Sequence, residues 1–313
     1  MSKIAVVGSL NMDMVVRASR YPGPGETVIG KDFNTIEGGK GANQAVAAAR
    51  QGANVVMIGR VGDDDFGDNL LKSLRREHIN TEFVRADAQV ASGVAYIGVD
   101  DQGENRIIII PGANGALSTA DIDRAASVIA SSDFLLLQLE IPMAVVTHAI
   151  FLAQRKGVKI ILNAAPAQKI PGDLIQYLDY LVVNESEAAL LTGLTPEDPA
   201  RAALKLLELG AACVIVTLGE RGALLAEKND LTCVQGFKVK AVDTTAAGDS
   251  FVGALAFALG EGKPTKEAVS WANAAGAIAT TNYGAQPSIP DYKLVASFVE
   301  KNDSGFSCSK PVD

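Results

Sequence analysis

The alternation of short β-branched runs with longer alanine-rich stretches is the feature that most restricts how this 313-residue chain can fold. The short runs are at residues 4–7, 55–58, 135–137, 159–162, 180–183 and 214–217. The stretches with helical spacing are at residues 41–51, 122–130, 145–156, 199–210, 248–259 and 266–281. Such alternation is typical of βαβ units, so the sequence predicts an α/β fold with a mostly parallel sheet flanked by helices.

Two segments interrupt this rhythm, because residues 14–36 and 92–111 contain strand-like runs with no helix between them. Turn signals occur inside both, Pro22-Gly23-Pro24-Gly25 in the first and Asp100-Asp101-Gln102-Gly103 in the second. We expect the two segments to pair into a small separate sheet. Insertions in such folds commonly lie at the carboxyl ends of the strands, where ligands bind, so the small sheet is predicted to be a lid.

Charge and composition exclude several classes of function. The 28 basic and 36 acidic residues give a net charge of −8, which disfavours a broad nucleic-acid or anionic-membrane surface and still permits a small anion site. The longest apolar stretches, 134–141 and 253–259, are much shorter than the roughly 20 residues that span a bilayer. We therefore expect neither a nucleic-acid nor a membrane partner.

The cysteines indicate a reducing compartment. Cys213, Cys233 and Cys308 are odd in number and widely spaced, which indicates neither a disulfide framework nor a zinc site. The polar residues Asn11 and Asp13 interrupt the first apolar run before a secretory signal can form. The prediction is a cytoplasmic protein with reduced thiols.

The segment 241–251, AVDTTAAGDSF, runs from an apolar strand into an alanine-rich helix. Free amides of Ala246, Ala247 and Gly248 at the helix start would form an anion hole, and the helix dipole would add to its attraction for phosphate. Asp249 lies in the first turn, where a carboxylate beside a phosphate site suits the removal of a proton from an attacking hydroxyl. The alternative is an ordinary acidic residue that stabilises a helix start.

The segment 37–44, EGGKGANQ, combines three glycines with a lysine and amides just before a helix. It suits close approach of the backbone to a polar ligand, although a glycine-rich turn with an exposed lysine explains the same residues equally well. It is not a P-loop, because the glycine spacing and the Lys-Ser/Thr pair of that motif are absent from the sequence.

Polar residues follow three further strands. Asn11 and Asp13 are two residues apart, so in an extended chain both side chains would face the same side and could bind a polar ligand. The alternative is an Asx turn. Residues 184–187, NESE, offer oxygen ligands for magnesium or a capping arrangement for the next helix. Residues 217–222, TLGERG, form either a hairpin turn or a wall that leaves room for a nucleotide.

Taken together, these motifs resemble the signatures of the ribokinase-like, phosphofructokinase-B type carbohydrate kinases. The matching segments are GSLNMD at 8–13, PGET at 24–27, GGKGANQA at 38–45, NESE at 184–187, TLG at 217–219 and DTTAAGD at 243–249. They occur in family order between residue 4 and about residue 290, and their joint occurrence is specific where each alone is weak.

The resemblance implies a role for each matching position. The sugar would be held by Asn11, Asp13, Gly39, Lys40, Asn43 and Glu140, with Asp249 as the base and the amides of Ala246, Ala247 and Gly248 as the anion hole. ATP would contact Asn184, Thr217, Gly219, Gly222, Gly248 and Asn273, and Glu187 would organise Mg²⁺ through water. A monovalent activator, usually K⁺, would be bound by Asp243, Thr245, Ala279, Asn282, Gly284 and Ser288. Asn273 stands where histidine is also found, and Asn282 departs from the usual basic residue.

The resemblance also implies a doubly wound sheet with a β lid, and a homodimer in which two lids interlock. The kinase core would comprise residues 1–12, 38–91 and 112–302, the lid residues 13–37 and 92–111, and residues 303–313 a disordered tail. The implied reaction is transfer of the ATP γ-phosphate to O5 of D-ribose. Alternatives are a related kinase for deoxyribose, another sugar or a nucleoside, and a non-catalytic sugar-binding protein. A dehydrogenase is disfavoured because no Gly-x-Gly-x-x-Gly follows the first strand.

Overall fold

A computed structural model describes residues 1–228 and 230–302. The predicted disordered tail and Cys308 lie outside the described residues. The strands are β1 (Lys3–Val7), β2 (Asn11–Ala18), β3 (Gly30–Gly38), β4 (Asn54–Gly62), β5 (Asn80–Asp87), β6 (Gly93–Val99), β7 (Asn105–Ile110), β8 (Phe134–Leu137), β9 (Lys159–Asn163), β10 (Tyr180–Asn184), β11 (Cys213–Thr217), β12 (Gly222–Glu227) and β13 (Asp230–Gln235). The helices are α1 (Lys40–Gln51), α2 (Asp65–Arg76), α3 (Thr119–Arg124), α4 (Ala126–Ala130), α5 (Met143–Lys156), α6 (Glu185–Thr192), α7 (Pro199–Glu208), α8 (Ala247–Gly260), α9 (Thr265–Ala279) and α10 (Tyr292–Asn302).

The larger sheet has nine strands in the order β13-β12-β11-β10-β9-β8-β1-β4-β5. The strands from β11 to β5 pair in parallel, whereas β12 and β13 pair antiparallel at one edge. The six strands expected from the sequence all lie in this sheet, which confirms the predicted α/β class.

Both faces of the sheet are covered by helices, as the nearly continuous apolar strands require. Successive side chains of β1 point to opposite faces, so Ile4 and Val6 belong to one hydrophobic cluster and Ala5 and Val7 to the other. The first cluster contains buried residues of α1, α2, α8 and α9, and the second contains those of α3 to α7. The sheet is therefore doubly wound, as expected.

The predicted helices are present with small changes at their ends. The segment 122–130 is two helices, because the backbone at Ala125 leaves helical geometry with ψ 2°. Among the described residues, no helix is long and apolar enough to cross a membrane.

The direction of winding changes beside β1, which pairs with β4 on one side and β8 on the other. In open α/β sheets a crevice opens at the carboxyl ends of the strands at such a point, and ligands bind there. The residues after β1 and β8, including Gly8 and Gln138, therefore border the expected site. A Cβ on Gly8 would lie 2.0 Å from Oε1 of Gln138, so the two loops meet closely.

A second sheet of four strands has the order β3-β2-β6-β7. It contains the two β excursions expected from the sequence, joined by parallel pairing of β2 with β6. Asn11 pairs with Gly38 in β3 and with Gly93 in β6, so the sheet begins directly beside the end of β1.

Candidate active site

Asp249 lies in the first turn of α8 and is buried, with 7% of its surface exposed. Two neighbouring side chains of α1 donate to its carboxylate: Asn43 Nδ2 is 3.0 Å from Oδ2, and Gln44 Nε2 is 2.9 Å from Oδ1. An ordinary acidic residue at a helix start would point into solvent. This carboxylate is instead held in the interior, with a separate amide on each oxygen.

The polar residues after β1 gather close to this carboxylate. Asn11 and Asp13 are both buried, and Oδ1 of Asn11 accepts a hydrogen bond of 2.8 Å from Asn114. Glu140, in the loop after β8, accepts a hydrogen bond from the amide of Lys40 at 3.2 Å. One crevice is therefore bordered by the chain after β1, the loop after β8 and the start of α1.

The charged side chains of this crevice shift each other's pKa values. Burial, followed by the charges of Glu140 and Asp249, raises the pKa of Asp13 to about 7. Burial alone would lower the pKa of Lys40, but the surrounding carboxylates of Asp249, Glu140, Glu187 and Asp13 outweigh it and raise that pKa. One ammonium group therefore faces four carboxyl groups, and the pocket has an excess of negative charge.

The start of α8 differs in one detail from the expected anion hole. The amide of Ala247 donates to the carbonyl of Thr244 at 3.2 Å, so the expectation of three free amides is wrong for this residue. Within residues 1–228 and 230–302, the amides of Ala246 and Gly248 donate to no protein atom. Ala246 has φ 58°, a left-handed conformation that is unfavourable for alanine and common at functional sites.

A cavity of about 340 Å³ has Gly248, the residue before Asp249, in its wall. Of the predicted ATP contacts, it is lined by Thr217, Gly219, Gly222, Gly248 and Asn273. The sixth predicted ATP contact, Asn184, and the predicted magnesium residue Glu187 are not among the described residues that line it. Its other lining residues, which the sequence analysis missed, include Phe237, Val239, Ala241, Phe251, Gly276 and Ala277. An apolar wall with a few polar groups suits a flat aromatic ligand.

Two of the predicted nucleotide residues also have structural roles. Gly222 has φ 94°, and a Cβ there would lie 2.2 Å from the carbonyl of Val234, so pairing of β12 with β13 requires glycine. Asn273 donates to the carbonyls of Val234 and Gln235, each at 3.2 Å. The hairpin after β11, left open by the sequence, is present and forms one wall of the cavity.

The segment 184–187 forms the capping arrangement expected as one alternative. Asn184 Oδ1 accepts from the amide of Glu187 at 2.8 Å, and Glu187 Oε2 accepts from the amide of Asn184 at 2.8 Å. Glu187 is nevertheless buried, and burial is the main cause that raises its pKa. Its negative charge is one cause of the raised pKa of Lys40, so this carboxyl group is also close to the crevice.

Asp243 organises the loop before α8. Its Oδ1 accepts from the amide and hydroxyl of Thr245 at 2.9 and 2.6 Å, and its Oδ2 accepts from the amide of Gly284 at 2.9 Å. Burial alone would raise the pKa of Asp243, but these hydrogen bonds and the charge of Arg17 lower it. Thr280, next to Ala279, accepts from the amides of Val242 and Asp243.

The six residues predicted for a monovalent cation lie on two segments, 243–245 and 279–288, which hydrogen bonds hold together. Asn282 and Ser288 are on the second segment, where Ser288 Oγ donates to the carbonyl of Ala285 at 2.8 Å. Across the described residues, no group of three or more His, Cys, Asp or Glu is arranged to hold a metal ion. Main-chain carbonyl oxygens can replace the hydration shell of K⁺, so carbonyls together with one carboxylate suit an alkali cation.

Three buried amide residues near the site were not assigned by the sequence. Asn114, just after β7, donates to Asn11 and to the carbonyl of Leu10, and accepts from the amide of Leu10. Gln138 and Asn163 lie next to Gln44. Only Gln138 had a signal, since it stands two residues before Glu140, to which the resemblance assigned a sugar contact.

With this geometry established, comparison with known proteins defines the class. The family model described as pfkB family carbohydrate kinase matches residues 1–292, so the chain belongs to that family of phosphotransferases with an alcohol acceptor.

Individual relatives are similar over nearly the whole chain. Ribokinase from Haemophilus influenzae is 40% identical over 300 residues, covering 95% of this chain and 98% of the relative. Deoxyribokinase from Salmonella typhi is 38% identical over 304 residues, covering 96% and 99%. The structure of Arabidopsis thaliana ribokinase complexed with ribose and ATP has a TM-score of 0.90 and 33% identity, covering 96% of this chain and 99% of that one.

Proposed function

We propose that this protein transfers the γ-phosphate of ATP to O5 of D-ribose, with Asp249 as the general base. The observation that supports it most is the position of Asp249. This carboxylate is buried and held by two amides near the crevice of polar groups, and the preceding residue, Gly248, lines the 340 Å³ cavity. A base in this position reaches an acceptor hydroxyl in the crevice and a phosphate at the helix start.

The crevice supplies the groups that a sugar requires. The crevice provides hydrogen-bond acceptors and donors for sugar hydroxyls, from Asn11, Asp13, Lys40, Asn43 and Glu140, and Gly39 would let the backbone approach the sugar. Oδ1 of Asn43 is buried and has no partner among the described residues, so it is ready to accept from a sugar hydroxyl. Asp13 would accept from the vicinal 2- and 3-hydroxyls.

The nucleotide would occupy the cavity, with its base against Phe237 and Val239 and its phosphates at the start of α8. The free amides of Ala246 and Gly248 would stabilise charge that develops on the transferred group, and the helix dipole would add to their effect. The amide of Ala247 could bind phosphate only after its hydrogen bond to the carbonyl of Thr244 had broken. The base removes the hydroxyl proton, O5 attacks phosphorus in line, and ADP leaves.

Two kinds of cation are included in the proposal. Mg²⁺, when bound, would neutralise charge on the phosphates, and Glu187 would help to hold it through water. K⁺ would be held by oxygen atoms of Asp243, Thr245, Ala279, Asn282, Gly284 and Ser288, at the loop that leads directly into α8.

The four-stranded sheet would serve as the lid and as the interface of a homodimer. Ile107 to Ile110 in its edge strand β7 are all exposed, by 41% to 61%. An unpaired apolar edge is a site for pairing with another chain, and a second copy of the lid would cover it. Sedimentation equilibrium on the purified protein tests this part, and a monomer at micromolar concentration would contradict it.

The decisive experiment measures ADP release with ribose, deoxyribose, fructose and adenosine, each with and without K⁺. We expect the highest kcat/KM for ribose, because deoxyribose leaves one acceptor of Asp13 unpaired. Equal values for ribose and deoxyribose would remove the role of Asp13 in discrimination. Preference for deoxyribose would assign the activity of the Salmonella typhi relative instead. Absence of ADP with every sugar would favour a non-catalytic binding protein.

A further inference from the structure

We propose that Gln44 is a positioning residue for this reaction, which holds Oδ1 of Asp249 so that Oδ2 faces the acceptor hydroxyl. The inference rests on the proposed kinase function and adds a residue to which the family motifs assign no role. Gln44 Nε2 lies 2.9 Å from Asp249 Oδ1 and 3.0 Å from Asn163 Oδ1. No ligand contact is required of it, because it acts through the carboxylate.

The carboxylate determines which way each amide of this network points. An ionised carboxylate only accepts hydrogen bonds, so the Gln44 atom that faces it must be Nε2. Oε1 of Gln44 then faces Gln138, whose Nε2 donates to it at 2.6 Å. Asn163 completes the network by donating to the carbonyl of Val182 at 3.2 Å. A single orientation therefore satisfies Gln44 completely.

The network is isolated from water. Gln44 and Gln138 are both fully buried, and Asn163 is 8% exposed. Hydrogen bonds of buried amides are costly to break, since water cannot replace the lost partner. The network therefore holds the carboxylate far more rigidly than an exposed pair would.

A small residue of α8 allows Gln44 to reach Asp249. Gly253 is one turn after Asp249, and a Cβ there would lie 2.6 Å from the carbonyl of Gln44 and 2.4 Å from Cβ of Ala47. The backbones of α1 and α8 therefore touch at this point. Adjacent residues Asn43 and Gln44 can then bind one carboxylate oxygen each, which stops the carboxylate from rotating about χ2.

The test compares Gln44→Met with Gln51→Met, which is a matched control on the same helix. Gln51 is also buried, donates to the carbonyl of Pro290 at 3.0 Å and accepts from Trp271 at 3.0 Å, far from Asp249. Both variants keep side-chain volume and lose two hydrogen-bonding groups. Steady-state kinetics of ADP release, sugar binding by calorimetry and thermal unfolding would be measured for both.

We expect Gln44→Met to lower kcat by roughly 10- to 100-fold while KM and the sugar Kd change by less than about threefold. Gln51→Met should lose similar thermal stability and keep wild-type kcat. A positioning role is overturned if the two variants share the same kcat, or if the loss for Gln44→Met falls entirely on KM.

Gln138→Met keeps the inference testable if Gln44→Met does not fold. It removes the donor that holds Oε1 of Gln44, so a smaller loss in kcat with little change in KM is expected. Wild-type kcat in a folded Gln138→Met protein would count against the network. A wild-type protein that releases no ADP would instead reject the proposed function, so the two failures are distinguishable.

Discussion

Gly38 of β3 lies diagonally across from Asp13 of β2, and a Cβ on Gly38 would be 2.3 Å from Oδ2 of Asp13. An alanine at this position would therefore force the Asp13 carboxylate to shift. We expect Gly38→Ala to raise KM for the sugar by at least about tenfold, with a smaller effect on KM for ATP. Gly172→Ala is the control, since a Cβ there would meet nothing within 4 Å. Equal sugar KM in both variants would contradict this role for Gly38.

Asp249→Asn should lower kcat by about 10²- to 10⁴-fold, the usual contribution of a general base. The substitution keeps the shape of the side chain, so the ATP Kd measured by calorimetry should change little. The measurement is ADP release under saturating substrates. Turnover close to wild type would remove Asp249 as the base.

Sugar binding should depend on pH through Asp13, whose pKa is raised to about 7 by burial and by the charges of Glu140 and Asp249. Protonation removes an acceptor for sugar hydroxyls, so KM for the sugar should rise roughly tenfold between pH 8 and pH 6. KM for ATP over the same range is the internal control. Asp13→Asn should bind weakly at all pH values, and a sugar KM that stays flat in the wild type would exclude this titration.

The same raised pKa predicts the direction of a stability change. Between pH 3.8 and about 7 the folded protein keeps a proton on Asp13 that the unfolded chain has lost, so Asp13 makes the sugar-free protein less stable as pH rises through this window. Asp13→Asn should therefore raise Tm by several degrees at pH 8 and have little effect at pH 4.

Asp64 provides the opposite control for that experiment. It accepts from the amides of Gly67 and Ser92 and from the hydroxyl of Ser92, and these bonds lower its pKa although burial alone would raise it. Its stabilising effect is present at neutral pH and is lost as pH falls through the lowered pKa, so Asp64→Asn should lower Tm at pH 7. If thermal unfolding gave the same change in Tm for Asp13→Asn and Asp64→Asn, the opposite directions of the two pKa shifts would be contradicted.

Two glycines of α8 should behave differently when replaced by alanine. A Cβ on Gly253 would collide with α1, so Gly253→Ala should cost about 1–3 kcal/mol of unfolding free energy. A Cβ on Gly248 would meet no neighbouring segment within 4 Å and would enter the cavity proposed for the nucleotide. Gly248→Ala should therefore keep its Tm and raise KM for ATP, and the reverse pattern would contradict the placement of the cavity.

Local patterns predicted much of the fold. Alternation of strand and helix periodicity, the turn signals of the small sheet and the caps are properties of neighbouring residues, so they can be read before folding. The edge strands β12 and β13 were less evident, because antiparallel pairing at the edge of a parallel sheet leaves only weak local signals. The helix α10 was likewise not predicted; it packs beside α9 at the end of the described chain.

The sequence by itself determined the class of fold, the small-residue start of α8 and the residue types available for sugar, nucleotide and phosphate. Only the tertiary structure decided that Asn43 and Gln44 hold Asp249 from more than 200 positions away, and that burial changes the pKa of Asp13. The physical reason is distance along the chain. Hydrogen bonds and burial between remote segments exist only once the sheet has brought those segments together, whereas periodicity and capping act within a few residues.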